Sequence, residues 1–164
     1  FSEDRTVFDL FDRTHLRHAF DVDDPAASAF LRQVLERRAP AGSVTPEALT
    51  ELVRGSGGFL RDLVAVAKAA GEAAYVAGHE LVEAADAHAA TVGLGNSLAF
   101  GLSDAELAIV KQVDQTRSLA VRGPTELLLI DRRVLVPQAS LRWRVHPALA
   151  AVLQAAGHLD RRAS

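Results

Sequence analysis

Ser56-Gly57-Gly58-Phe59-Leu60-Arg61-Asp62-Leu63 is the stretch on which the reading of this chain turns. Its glycines interrupt one apolar-periodic segment, and another starts directly after them. On the upstream side, Thr45-Pro46-Glu47 opens a helix with a capping hydroxyl and a proline where the backbone N–H is dispensable. Leu49, Leu52 and Val53 form the buried stripe of that helix. On the downstream side, Leu60, Leu63, Val64, Ala67, Ala70 and Ala74 share one face of a third helix, which Gly78 ends. Working outward, Asp24-Pro25 starts a first helix in the same manner, with Ala27, Phe30, Leu31, Val34 and Leu35 at helical spacing. His79-Glu80 leads into a fourth helix through Leu81, Val82 and Ala85. Four short helices with brief connections predict a small bundle over 25–92.

Beyond it, Gly93-Leu94-Gly95-Asn96-Ser97 predicts a loop, and 93–102 a linker between two units. Ser103 and Glu106 then form a capping box, followed by Leu107, Val110 and Val113 as an apolar stripe. Gly123-Pro124-Thr125 starts a further short helix. Val134–Val136 and Leu141–Val145, separated by a turn around Pro137 to Ser140, read as a β-hairpin. His146-Pro147 opens a last helix with Leu149, Val152 and Leu153 buried, His146 holding its start. Helices, a hairpin and a closing helix over 103–158 predict a winged-helix pattern, with 159–164 as a tail. Residues 1–24 are the least readable: Val7–Phe11 fits a strand or a helix end, and His18–Val22 looks extended. The fold class expected is mainly α.

Bulk properties narrow the function classes. A chain of 164 residues, 49% apolar and 24% charged, can bury a real core. The net charge of −3 gives no global footprint for nucleic acid, so such a contact needs a local patch. Cysteine is absent, which removes disulfides and thiolate metal sites and fits a cytoplasmic protein. No run approaches the ~18 apolar residues of a membrane span, and the first residues lack the pattern of a signal peptide. Methionine is absent, so the chain reads as a fragment of a longer product. Arginine greatly outnumbers lysine (Lys68 and Lys111), and alanine is abundant, as in a GC-rich bacterial genome.

The chemistry sits in the same stretch. Glycines at a helix start leave backbone amides open to an anion, here Gly57 and Gly58, with Leu60 at the first turn. Arg61 lies near the positive end of the helix dipole, which disfavours a cation unless a bound anion reverses the cost. A guanidinium suits phosphate because its planar fork stays charged and binds oxygens in pairs. The alternative is a surface arginine paired with a neighbouring carboxylate. In the hairpin, Arg132, Arg133, Arg142 and Arg144 surround Trp143. Alternation puts Arg142 and Arg144 opposite Leu141, Trp143 and Val145, as a solvated face or as a grip on DNA or a protein partner. His15 and His18 lack a third ligand for a metal site, and Asp21, Asp23 and Asp24 read as helix-capping residues. No Gly-x-Ser-x-Gly elbow or acyl-transfer triad is present.

Ser-Gly-Gly-x-x-Arg-Asp-Leu, following a Leu-x-x-Val-Leu-x-x-Arg helix and a Thr-Pro-Glu-x-Leu helix, resembles the lid of AAA+ and STAND-like bacterial P-loop ATPases. The similarity spans roughly residues 20 to 92. It continues more loosely from Glu126-Leu-Leu-Leu to Val145-His146-Pro147, a winged-helix ending. In that family Gly-x-x-Arg is the sensor 2 element. The resemblance therefore implies that Gly58-Phe59-Leu60-Arg61 faces the terminal phosphates of ATP, with Arg61 making the contact. No Gly-x-x-x-x-Gly-Lys-Ser/Thr loop or Walker B strand occurs in this chain, so ATP and Mg²⁺ would be held mostly by an upstream core in the same chain. Residues 1–24 would be the end of that core or its linker. The fragment alone would not hydrolyse ATP, whereas its parent would. A homo-oligomer and a protein partner on the winged helix are further expectations. A winged-helix DNA-binding regulator or an adaptor without ATPase function is the alternative.

Overall fold

The computed structural model describes residues 19–138 and 142–160. The expectations for 1–18, including His15 and His18, for the hairpin turn at 139–141 and for the tail at 161–164 lie outside the described residues. The order is α1 (Pro25–Glu36), α2 (Pro46–Gly55), α3 (Leu60–Ala77), α4 (Ala84–Ala99), α5 (Asp104–Thr116), α6 (Pro124–Asp131), β1 (Leu135–Pro137), β2 (Trp143–Val145) and α7 (Pro147–Ala155). The protein is mainly helical with a small antiparallel hairpin.

The helix starts follow their local chemistry. Asp24 accepts from the Ala27 amide at 2.9 Å, and Thr45 from the Ala48 amide at 3.2 Å, each one residue before a proline. Ser103 and Glu106 close the expected capping box on α5. Hydrogen bonds from the Ser103 amide and hydroxyl, reinforced by Arg132, hold the Glu106 carboxyl below its ordinary range. α4 starts later than expected, at Ala84, because Val82 instead forms a parallel bridge with Val44. In its first turn, Asp86 accepts from the Glu83 amide at 2.9 Å and meets His79 Nδ1 at 3.0 Å.

Two apolar clusters meet along α4. The first comprises Leu31 and Leu35 of α1, Leu49, Leu52 and Val53 of α2, Leu63, Val66 and Ala70 of α3, and Ala87 and Ala90 of α4. The second joins Leu98 of α4 to Val110 and Val113 of α5, Leu129 of α6, Leu135 and Val145 of the hairpin, and Leu149 and Leu153 of α7. Leu94 touches both. On α3 the buried face is rotated from the expected one: Val66 is buried, whereas Leu60 and Val64 are each 41% exposed.

The stretch read as a loop and linker from Gly93 is helix through Ala99. The second glycine has a packing reason. A Cβ at Gly95 would stand 2.3 Å from the Ala148 carbonyl oxygen, so the missing side chain lets α7 lie directly on α4. α4 is thus a shared wall of both clusters rather than the end of one unit. Among the described residues no helix is long and apolar enough to cross a membrane.

Candidate functional site at the first turn of the third helix

Gly57 and Gly58 take φ of +62° and +86°, the left-handed region that side chains disfavour. Both are buried, and their amides are engaged. Gly57 N–H donates to the Arg54 carbonyl at 3.2 Å, and Gly58 N–H to the Ser56 hydroxyl at 3.2 Å. The expected anion cradle of Gly57 and Gly58 amides is therefore corrected, since neither is open to a ligand. These glycines serve close approach instead. A Cβ at Gly57 would lie 2.7 Å from His146 Nε2, and one at Gly58 would coincide with the Phe20 carbonyl oxygen at 1.8 Å. The Phe20 amide donates to the Gly58 carbonyl at 3.1 Å, pinning residues 19–20 over the loop.

After this loop α3 starts with Phe59 as N-cap residue, and among the described residues no side chain caps its amides. Leu60 and Arg61 occupy its first turn and are exposed. Arg61 forms no ion pair with any described residue. A helix start that no described side chain caps and a guanidinium without a described ion-pair partner both favour an anion.

The adjacent Asp62 does the opposite. It is 2% exposed and turned toward the C-terminal cluster. Arg133 Nε lies 2.8 Å from Asp62 Oδ2, and His146 Nε2 lies 3.6 Å from the same oxygen. None of these three atoms makes an aligned hydrogen bond, so the Arg133 contact is an ion pair. His146 Nδ1 accepts from the Ala148 amide at 3.3 Å, capping α7 as expected, and Phe59 stacks on its ring at 6.1 Å and 7°.

The four arginines grouped around the hairpin do not share a surface. Arg132 donates to the carbonyls of Leu98 and Phe100 at 3.4 and 2.7 Å and lies 3.9 Å from Glu106. Arg133 is spent on Asp62. Arg144 is 6% exposed, 3.4 Å from Asp23 and 3.9 Å from Asp21, and donates to the Gly57 carbonyl at 3.3 Å. Burial lowers its pKa, while Asp23 and Asp21 oppose that shift. Arg142 alone of the four is exposed, at the rim of a cleft of about 700 Å³ also lined by Arg54, Arg117 and His88. The expectation of Arg142 and Arg144 as one solvated basic face is therefore corrected. The physical reason is strand pairing. Arg144 stands opposite Val136 and shares its face, and Val136 is fully buried. The signal was legible: Val134-Leu135-Val136 is apolar at every position, as in a strand covered on both faces, so its partner cannot have a solvated side. Asp62 carried no comparable signal, because its partners lie about 70 to 85 residues away.

Among the described residues no group of histidines and carboxylates has the arrangement of a metal site. Comparison with protein-family models, curated proteins and solved structures finds no match to this chain.

Proposed function

We propose that this chain is the nucleotide-sensing lid and C-terminal winged helix of an AAA+-type ATPase, with Arg61 as its sensor 2 arginine. The observation that carries the reading is the state of Arg61: exposed, without an ion-pair partner among the described residues, and on the uncapped first turn of an 18-residue helix. A cation left unpaired at the positive end of a helix is unfavourable by itself, and a phosphate there satisfies both. ATP and Mg²⁺ are held mainly by a P-loop core of the longer, cytoplasmic protein, since this chain has neither the phosphate loop nor the magnesium ligands. That core is the first partner of this chain; a second copy or a protein docked on the C-terminal lobe is compatible with it. The DNA-binding alternative is weakened because three of the four hairpin arginines are engaged internally.

The test is nucleotide binding and ATP hydrolysis by the full-length protein carrying Arg61→Ala or Arg61→Lys. Loss of a charge-assisted contact, about 1.5–3 kcal/mol, gives a defect on the order of 10–100-fold, with partial rescue by lysine. Normal affinity and turnover in Arg61→Ala would overturn the assignment.

A further inference from the structure

We propose that Asp62 is a positioning residue: through Arg133 and His146 it latches the first turn of α3 to the C-terminal lobe, so that this lobe sets where Arg61 points. The proposal rests on the sensor reading of Arg61 for its consequence, but its structural half stands apart from it. Arg61 and Asp62 are neighbours on one helical turn, one facing outward and the other inward, so neither moves without the other. The turn is held from several directions at once. Asp62 meets Arg133 and His146, Phe59 stacks on His146, and the Gly57 carbonyl accepts from Arg144. All three lobe residues, Arg133, Arg144 and His146, lie between the end of α6 and the start of α7.

Two features fit a latch better than a permanent weld. First, Arg133 sits at φ +60°, a left-handed conformation after α6 where glycine is the usual residue. An arginine held there against its backbone preference implies that its side chain is needed, and its contact is Asp62. Second, Asp62 Oδ2, Arg133 Nε and His146 Nε2 are buried without aligned hydrogen bonds. A polar cluster that is only partly satisfied loses less on separation than a saturated one. A shift of the lobe that parts Arg133 from Asp62 therefore releases the turn that carries Arg61.

The experiment has two arms. In this chain, hydrogen exchange is followed in Arg133→Gln and Arg133→Lys. The expected result is exchange at least ~10-fold faster in the first turn of α3 and at the start of α7, with residues 70–77 of α3 unchanged and lysine restoring part of the protection. Uniform acceleration along α3, or none at its first turn, overturns the latch. If Arg133→Gln does not fold, the partial effect of Arg133→Lys decides the same question. In the full-length protein, nucleotide affinity is measured for Arg133→Gln with Arg61 present and with Arg61→Ala. A several-fold loss that disappears in the Arg61→Ala background is expected, because residues acting through one another are not additive. An equal loss in both backgrounds overturns the positioning role. No effect of Arg61→Ala alone refutes the sensor reading, and the exchange arm still decides the latch.

Discussion

Replacing Arg133 or Arg144 with methionine, a side chain of similar length, should give different outcomes, because the substitutions leave different groups behind. In Arg133→Met the carboxylate of Asp62, whose side chain is 3% exposed, loses its cation. Removing one partner of a buried pair costs about 3–5 kcal/mol. Two features reduce this: the Arg133 side chain is 29% exposed, so water reaches the gap, and His146 Nε2 stands 3.6 Å from the same oxygen. A loss of about 2–4 kcal/mol is expected, or a fall in Tm of roughly 4–16 °C for a chain of this size. In Arg144→Met the groups left behind are Asp23 and Asp21, with side chains 82% and 40% exposed, which water resolvates. The desolvation that lowers the Arg144 pKa disappears with the charge, and the hydrogen bond to the Gly57 carbonyl is lost. These effects oppose one another, so stability should stay within about 1 kcal/mol of the parent. Urea unfolding followed by circular dichroism, with m-values compared, measures both. Equal losses, or a larger loss in Arg144→Met, would refute the argument that the residue left unpaired decides the cost.

Glycine substitutions should also split by location. Gly58→Ala places a Cβ on the Phe20 carbonyl oxygen at a φ of +86° and should cost about 2 kcal/mol or more, whereas Gly93→Ala, with nothing within 4 Å in the interior of α4, should stabilise by about 0.5–1 kcal/mol; thermal melts rank the two. The His79–Asp86 pair should leave a pH signature. The hydrogen bond that the His79 ring donates to Asp86 raises the His79 pKa above 6.5, so its stabilisation is complete below that value and fades as pH rises through the folded pKa. The Asp86 pKa is lowered below 3.8, first by the Glu83 amide and then by His79, so that contribution is present above 3.8 and fades as pH falls through the folded pKa. Urea midpoints measured across pH should therefore decline on the alkaline side in the parent, and His79→Gln should flatten that decline. An unchanged alkaline slope would count against the pair.

What the sequence determined by itself was local. Asp24-Pro25, Thr45-Pro46 and Ser103 with Glu106 announced helix starts because a cap and its amides lie within three residues of one another. The hairpin and the His146-capped last helix were legible for the same reason. Tertiary structure decided what those elements face. Gly93 and Gly95 signal a break when read by propensity, yet α4 runs through them because α7 packs against the bare backbone at Gly95. Gly57 and Gly58 suggest an open phosphate loop until His146 and Phe20 close over them. Asp62 looks like a surface charge because nothing within a few residues explains its burial; its partners arrive from distant segments once the two clusters join along α4. Arg61 is exposed on the first turn of α3, the helix position that its spacing after the two glycines implied. Backbone caps act over a few ångströms of chain, whereas burial is fixed by whichever remote surface comes to lie on top.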